Sequence, residues 1–171
     1  DFSRLERGRF LELQREPVEL AELVRTWSLE TMEWAAQHAL ECSFGDERCT
    51  GTAVIDREAL RRVLFNLLEN ARKHSGSTRV RLELAADGDS FGFSVADEGR
   101  GIPVEKRELV FEPFARLAEG PDAAPGTGLG LAIAREIVHA HGGTIVVKEN
   151  NMGPGTRVDV RIPRGAEGAR T

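Results

Sequence analysis

Two carboxamides and a cation recur at helical spacing within Arg61–Ser75, RRVLFNLLENARKHS. Asn66, Asn70 and Lys73 follow at i, i+4 and i+7, which puts them on one stripe of a helix, with His74 just round the cylinder. The stripe borders an apolar face made by Leu60, Leu64, Leu67, Leu68 and Ala71. Such a set suits an anionic ligand, above all a metal-bound phosphate, because an amide oxygen ligates a hard cation without repelling the phosphate. A polar helix flank would carry the same residue types.

Two further groups follow. Asp97, Gly99 and Gly101 spell D-x-G-x-G at the end of a strand in which Phe91, Phe93 and Val95 alternate inward. Asp97 shares their parity, so its carboxylate points to the buried side and needs donors there. It can accept an exocyclic amine such as adenine N6, the glycines letting a flat ring approach; it can also cap the next turn. Gly126-Thr127-Gly128-Leu129-Gly130-Leu131 leads straight into a helix. Closely spaced glycines there present backbone N–H groups to an anion, helped by the helix dipole, or simply form a hinge. No strand precedes this run and no Lys-Ser or Lys-Thr follows it, which excludes the Rossmann and Walker patterns.

The elements that must position these groups can be read in order. Residues 1–14 read as the end of a charged helix stopped by Pro17, and 18–40 as a short entry and a helix. Residues 41–46 and 49–55 read as two strands joined in a hairpin through Gly45, Asp46 and Glu47. Asp56 caps the helix bearing the two asparagines and Gly76 ends it. Strands TRVRLELAA and SFGFSVAD form a hairpin through an Asp-Gly turn. A short helical patch near Glu105–Leu109, an aromatic turn VFEPFARL and a Pro/Gly-rich loop at 118–127 come next. A helix at 129–141, stopped by Gly142-Gly143, two closing strands and a frayed tail at 164–171 complete the chain. The expected fold is a two-layer α/β (α+β) sandwich, a mixed and largely antiparallel sheet covered on one face by about three helices.

Composition narrows the function classes. The 171 residues, 40% hydrophobic and 30% charged, suffice for one ordinary core. A net charge of −5 with no basic run excludes a nucleic-acid surface as the main business. There is no bilayer-length apolar run and no signal peptide, so a cytoplasmic setting is expected, without direct membrane contact. Cys42 and Cys49 make neither a disulfide framework nor a complete metal site.

The order of the motifs is more specific than any one of them. NLLENARKHS resembles the N box, DEGRGIP the G1 box, FEPFAR the F box and GTGLGL the G2 box of the ATP-binding catalytic domain of sensor histidine kinases. The resemblance covers roughly residues 17–163 and implies the Bergerat fold, shared with gyrase-, Hsp90- and MutL-type ATPases. It implies Mg-ATP as cofactor, with Asn70 and Asn66 at the metal, Lys73 at phosphate, His74 beside the nucleotide and Asp97 at the adenine amine. By the same resemblance Gly99, Gly101, Ile102, Gly126, Thr127, Gly128, Leu129, Gly130, Leu131 and Thr156 border the nucleotide. Phe111 and Phe114 would anchor the base of a lid over 103–125, and Arg116 would stabilise charge on the departing γ-phosphate. Residues 1–16 would end a dimerisation helix pair whose histidine, absent here, receives the phosphoryl group and passes it to a response-regulator aspartate. None of His38, His74, His139 and His141 lies in that acceptor's setting. The expectation is an excised, monomeric module that binds ATP without autophosphorylating. Hydrolysing relatives carry Glu where this chain has Asn66, so poor hydrolysis is expected; Glu69, about 60° round the helix, points away.

Overall fold

The structure, a computed structural model, describes residues 12–47, 49–115 and 126–165. Seven strands are described: β1 (Glu16–Glu19), β2 (Glu41–Glu47), β3 (Thr52–Ile55), β4 (Arg79–Ala86), β5 (Ser90–Asp97), β6 (Thr144–Glu149) and β7 (Thr156–Pro163). The three α-helices are α1 (Leu20–Gln37), α2 (Arg57–His74) and α3 (Gly130–Ala140). Five strands make the main sheet in the order β2-β4-β5-β7-β6, and β1 with β3 forms a separate two-stranded sheet. Only β2 and β4 run parallel; the remaining neighbours in the main sheet are antiparallel. The result is the expected two-layer sandwich.

Alternation decides which face is covered. Val80, Leu82, Leu84, Phe91, Phe93, Val95, Val158, Val160 and Ile162 turn into the core. There Trp27 of α1 meets Phe93 edge-on at 5.2 Å and Phe91 at 6.1 Å. The intervening positions form a charged ladder on the other face: Arg81 with Glu83, Arg157 with Glu83 and Asp159, and Lys148 with Asp159. An antiparallel sheet tolerates that division because one face can remain in water.

Helix α2 is the central packing element. Asp56 accepts a hydrogen bond from the Ala59 N–H at 2.9 Å, Arg72, Lys73 and His74 supply positive charge to the last turn, and Gly76 follows at φ +70°. Leu60, Leu64 and Leu68 are fully buried, each worth about 1.5–3 kcal/mol of apolar transfer. At the helix start, the His141 ring joins two helix ends. Its Nδ1–H donates to Ile137 O at 2.8 Å and its Nε2 accepts the Asp56 N–H at 3.0 Å. The incoming chain fastens to the same corner, the Gln14 N–H donating to Asp56 Oδ2 and Arg15 Nη2 to Ala140 O.

Two expectations change. The hairpin over 41–55 does not form. Gly45, Asp46 and Glu47 stay in strand, paired with Glu83, Leu84 and Ala85 of β4, while β3 pairs antiparallel with β1. Loop length alone cannot assign a partner, and β3 buries Ala53 and Ile55 beside Val18 of β1. Pro17, expected only to stop a helix, lies within β1, where an edge position tolerates its missing N–H. Of the expected first helix, residues 1–11 lie outside the described residues and 12–15 carry no regular secondary structure. The tail from 166 is also outside them, as are 116–125 of the expected lid. Among the described residues no helix is long and apolar enough to cross a membrane.

Candidate nucleotide site

Asp97 closes β5 with 6% of its surface exposed, on the buried side as its parity requires. Its Oδ1 accepts from the Gly99 N–H at 2.9 Å and the Thr156 N–H at 3.3 Å. Burial pushes the carboxyl above the ordinary aspartate range, and these two backbone donors only partly oppose the rise. Among the described residues Oδ2 receives no protein hydrogen bond, which leaves this oxygen of a largely buried carboxylate open to an outside donor.

The loop after Asp97 leans on the end of α2. A Cβ at Gly99 would overlap the Ser75 backbone, and the Arg100 N–H donates to Ser75 O at 3.1 Å. Gly101 takes φ +74°, a conformation that favours glycine. Ile102 packs half-buried against the core, its carbonyl accepting from Arg107 Nε. Across the turn between β6 and β7, Thr156 is buried beside Asp97.

The asparagine stripe faces the start of α3. Asn66 Nδ2 donates to Gly130 O at 3.0 Å, which turns Oδ1 away as a remaining acceptor. Asn70, one turn on, is half-buried and makes no protein hydrogen bond among the described residues. Lys73 and His74 are exposed, and Lys73 Nζ lies 3.6 Å from Glu69 Oε2. Glu69 is the hub of that end of the helix, also accepting from Arg72 and from the Trp34 indole. Burial works against its charge, but the Arg72 and Trp34 hydrogen bonds and the Arg72 and Lys73 charges hold its carboxyl below the usual range. Glu69 is therefore engaged with α1 and its own helix, away from Asn66.

The glycine run is fixed by the aromatic turn. Gly128 has φ +69°, and a Cβ there would lie 2.9 Å from Phe114 Cα, while the Phe114 N–H donates to Gly128 O at 3.0 Å. Phe111 is buried under the Arg135 guanidinium, 5.5 Å from its ring centroid. Phe114, expected with Phe111 at the base of a lid, meets Gly128 through its backbone. At φ +63° the ring is turned out, 59% exposed. The described part of the expected lid, 103–115, holds two 3-10 turns, Val104–Lys106 and Leu109–Phe111. Arg116 lies outside the described residues. Gly126 and Thr127 are exposed, Leu129 is half-buried and Leu131 is buried in the first turn of α3. Helix α3 starts from Leu129 with no side-chain cap, so its first N–H groups are not satisfied by a neighbouring side chain.

These groups fit a nucleotide with a magnesium ion. The unpartnered oxygen of a largely buried carboxylate suits an amine, an uncapped helix start suits phosphate, and two carboxamides suit a hard cation already neutralised by phosphate. No cluster of three His, Cys, Asp or Glu able to hold a metal exists among the described residues. Sequence reading missed Asn150, Gly155 and Ser75, all of which touch the Asp97 loop. The glycines flanking Pro154 were the available signal for the first two; Ser75 carried none.

Comparison with known proteins places the chain among relatives of one family. The sequence model described as histidine kinase-, DNA gyrase B-, and HSP90-like ATPase matches residues 55–166. The chain is 36% identical over 169 residues to the signal transduction histidine-protein kinase/phosphatase MprB of Mycobacterium bovis, covering 95% of this chain and 32% of that protein. It is 42% identical over 106 residues to the sensor histidine kinase GtrS of Pseudomonas aeruginosa, covering 62% of this chain and 21% of that one. The chain thus spans about a third or less of these curated relatives. Among solved structures, full-length ShkA in complex with AMPPNP superposes with TM-score 0.77 at 30% identity, covering 97% of this chain and 34% of that one. The histidine kinase ThkA in complex with the response regulator TrrA gives TM-score 0.75 at 25% identity, covering 96% and 46%.

Proposed function

Because the chain belongs to the family of histidine kinase-, DNA gyrase B- and HSP90-like ATPases, we propose that it is the ATP-binding catalytic module of a two-component sensor kinase. The observation that carries the reading is buried Asp97, whose Oδ1 accepts the Gly99 and Thr156 N–H groups while Oδ2 has no hydrogen-bond partner among the described residues. That oxygen accepts the adenine amine, while Gly99 and Gly101 keep the floor of the ring site flat. The N–H groups at the start of α3 receive phosphate oxygens. Asn70, with Asn66 beside it, offers carbonyl oxygen to magnesium, and Lys73 exchanges Glu69 for phosphate. A bound magnesium ion supplies charge neutralisation across the phosphates.

The chain's residues bind and orient; they do not activate water. Asn66 cannot take a proton, and Glu69 is held by Arg72, Lys73 and Trp34. The γ-phosphoryl group therefore goes to a histidine on the dimerisation helices of the parent kinase, with Arg116 stabilising the charge, and ADP leaves. From there it passes to an aspartate of a response regulator. The names of the curated relatives and the ThkA complex with TrrA support that destination. The module itself is monomeric.

Calorimetric titration of ATP, with and without magnesium, on wild type and Asn70→Ala tests this reading. Magnesium-dependent binding weakened by the substitution is expected. Absence of heat, with no competition by ADP, would overturn it in favour of a non-catalytic interaction module.

A further inference from the structure

The turn between β6 and β7 reaches back to the carboxylate at the end of β5. The β5–β7 ladder ends at the Ala96–Arg157 pair, which leaves Asp97 one residue past the last backbone partner on that side. Its carbonyl would lack a ladder donor, and a buried carbonyl requires one. Asn150 supplies it: Nδ2 donates to Asp97 O at 2.9 Å, across 53 residues of sequence, and to Pro154 O at 3.4 Å. Its Oδ1 accepts the Met152 N–H at 3.1 Å, so the orientation of the amide is dictated by two carbonyls on one side and an N–H on the other.

The turn is shaped to allow this approach. Gly153 and Gly155 take φ +152° and +121°, and a Cβ on Gly155 would overlap the Asp97 carbonyl. The Asn150 N–H donates to Gly155 O at 3.3 Å, closing the turn on itself. The next residue, Thr156, donates its N–H to Asp97 Oδ1. One turn thus holds both the main chain and the carboxylate of Asp97.

We propose that Asn150 is a positioning residue that aims Asp97 Oδ2 at the nucleotide base, so that preference for a 6-amino purine is set partly from the β6–β7 turn. The proposal rests on the reading of Asp97 as the base acceptor. Asn150 does not touch the base; it fixes the peptide from which the carboxylate projects. Loss of the amide frees that peptide, and discrimination between bases falls while phosphate binding at α3 and the asparagine stripe persists.

The test compares the affinities of the whole chain for ATP and for purine riboside triphosphate, which lacks the 6-amino group, in the presence of magnesium. Magnesium tripolyphosphate competition reports the phosphate site separately. Asn150→Ala should weaken ATP binding by about five- to tenfold and bring the ATP-to-purine ratio toward one, with tripolyphosphate unchanged. A loss shared equally by all three ligands would make Asn150 merely structural and overturn the proposal. Asn150→Asp, of equal size but unable to donate, must behave the same way; either variant keeping full selectivity while folded would also overturn it. Asp97→Asn separates the two claims. If it abolishes selectivity and the Asn150 variants do not, the base-acceptor reading stands and this proposal falls. If wild type itself binds both nucleotides equally, the reading beneath it falls as well.

Discussion

Asn66 Nδ2 lies 3.0 Å from the carbonyl oxygen of Gly130, a hydrogen bond that ties the middle of α2 to the first residue of α3 across 64 residues of sequence. The contact orients the amide: with nitrogen committed to Gly130, only oxygen is left for a cation. It also sets where the uncapped start of α3 lies relative to the stripe of Asn66 and Asn70.

Removing this contact should damage fold and ligand binding together. Asn66→Leu leaves Gly130 O without its donor and is expected to lower stability by about 1–2 kcal/mol. Urea unfolding gives the first quantity, and titration with Mg-ATP should show weakened binding in the same variant.

Replacing Asn66 by Glu tests the chemistry. Wild type should hydrolyse ATP slowly because position 66 carries no carboxylate and Glu69, the acid nearest it on α2, is engaged with Arg72, Lys73 and Trp34. Asn66→Glu should raise turnover, measured as phosphate release, if the new carboxylate reaches the attacking water. Brisk hydrolysis by wild type, unchanged in the variant, would contradict the proposed donor role.

Asp97 should display a trade between binding and stability. Its carboxyl pKa is raised above 3.8 by burial, so the folded state holds the proton more tightly than the unfolded one. The ionised group therefore opposes folding at neutral pH, and that penalty fades as pH falls through the folded pKa. Asp97→Asn keeps an oxygen for the Gly99 and Thr156 amides. Its melting temperature should match or exceed wild type at pH 7, with the advantage shrinking in acid, while ATP affinity drops.

His141 should impose the opposite dependence. Burial lowers its pKa from 6.5, with nearby Arg15 acting in the same direction, while the Ile137 carbonyl and Asp56 oppose it. Stability from the neutral ring is complete above 6.5 and is lost as pH falls from there through the folded pKa. The protonated ring can no longer accept the Asp56 N–H. Urea midpoints between pH 5 and 8 should slope in wild type and flatten in His141→Gln.

Two glycines of one motif should separate cleanly. Gly128→Ala forces a Cβ against Phe114 at φ +69° and should cost about 1–2 kcal/mol and much of the ATP affinity. Among the described residues a Cβ at Gly126 meets nothing within 4 Å, and Gly126→Ala should change stability by less than about 0.5 kcal/mol. Thermal melts and ATP titration of the pair provide the comparison.

Much of this site could be read from residue types because its parts obey local rules. The period of α2 put Asn66 and Asn70 on one edge, strand parity buried Asp97, and glycines before a helix marked the start of α3. What could not be read depends on partners distant in sequence. Gly45–Glu47 look like a turn, yet they pair with β4, a choice made by tertiary packing. Asn150 carries no mark of its reach to Asp97, 53 residues away. The positive φ of Phe114 is likewise invisible in a side-chain pattern.

The position of β7 has a consequence for synthesis of the chain. This last strand lies between β5 and β6, and its first residue completes the shell of Asp97. A growing chain that has reached Asp97 still lacks Asn150, Thr156 and the strand that flanks β5. At about 5–20 residues per second, roughly 3–13 s separate translation of Asp97 from that of Pro163. Until then the proposed base site is unfinished on the ribosome-bound chain, so loading with ATP is expected of the completed sheet and not of its early strands.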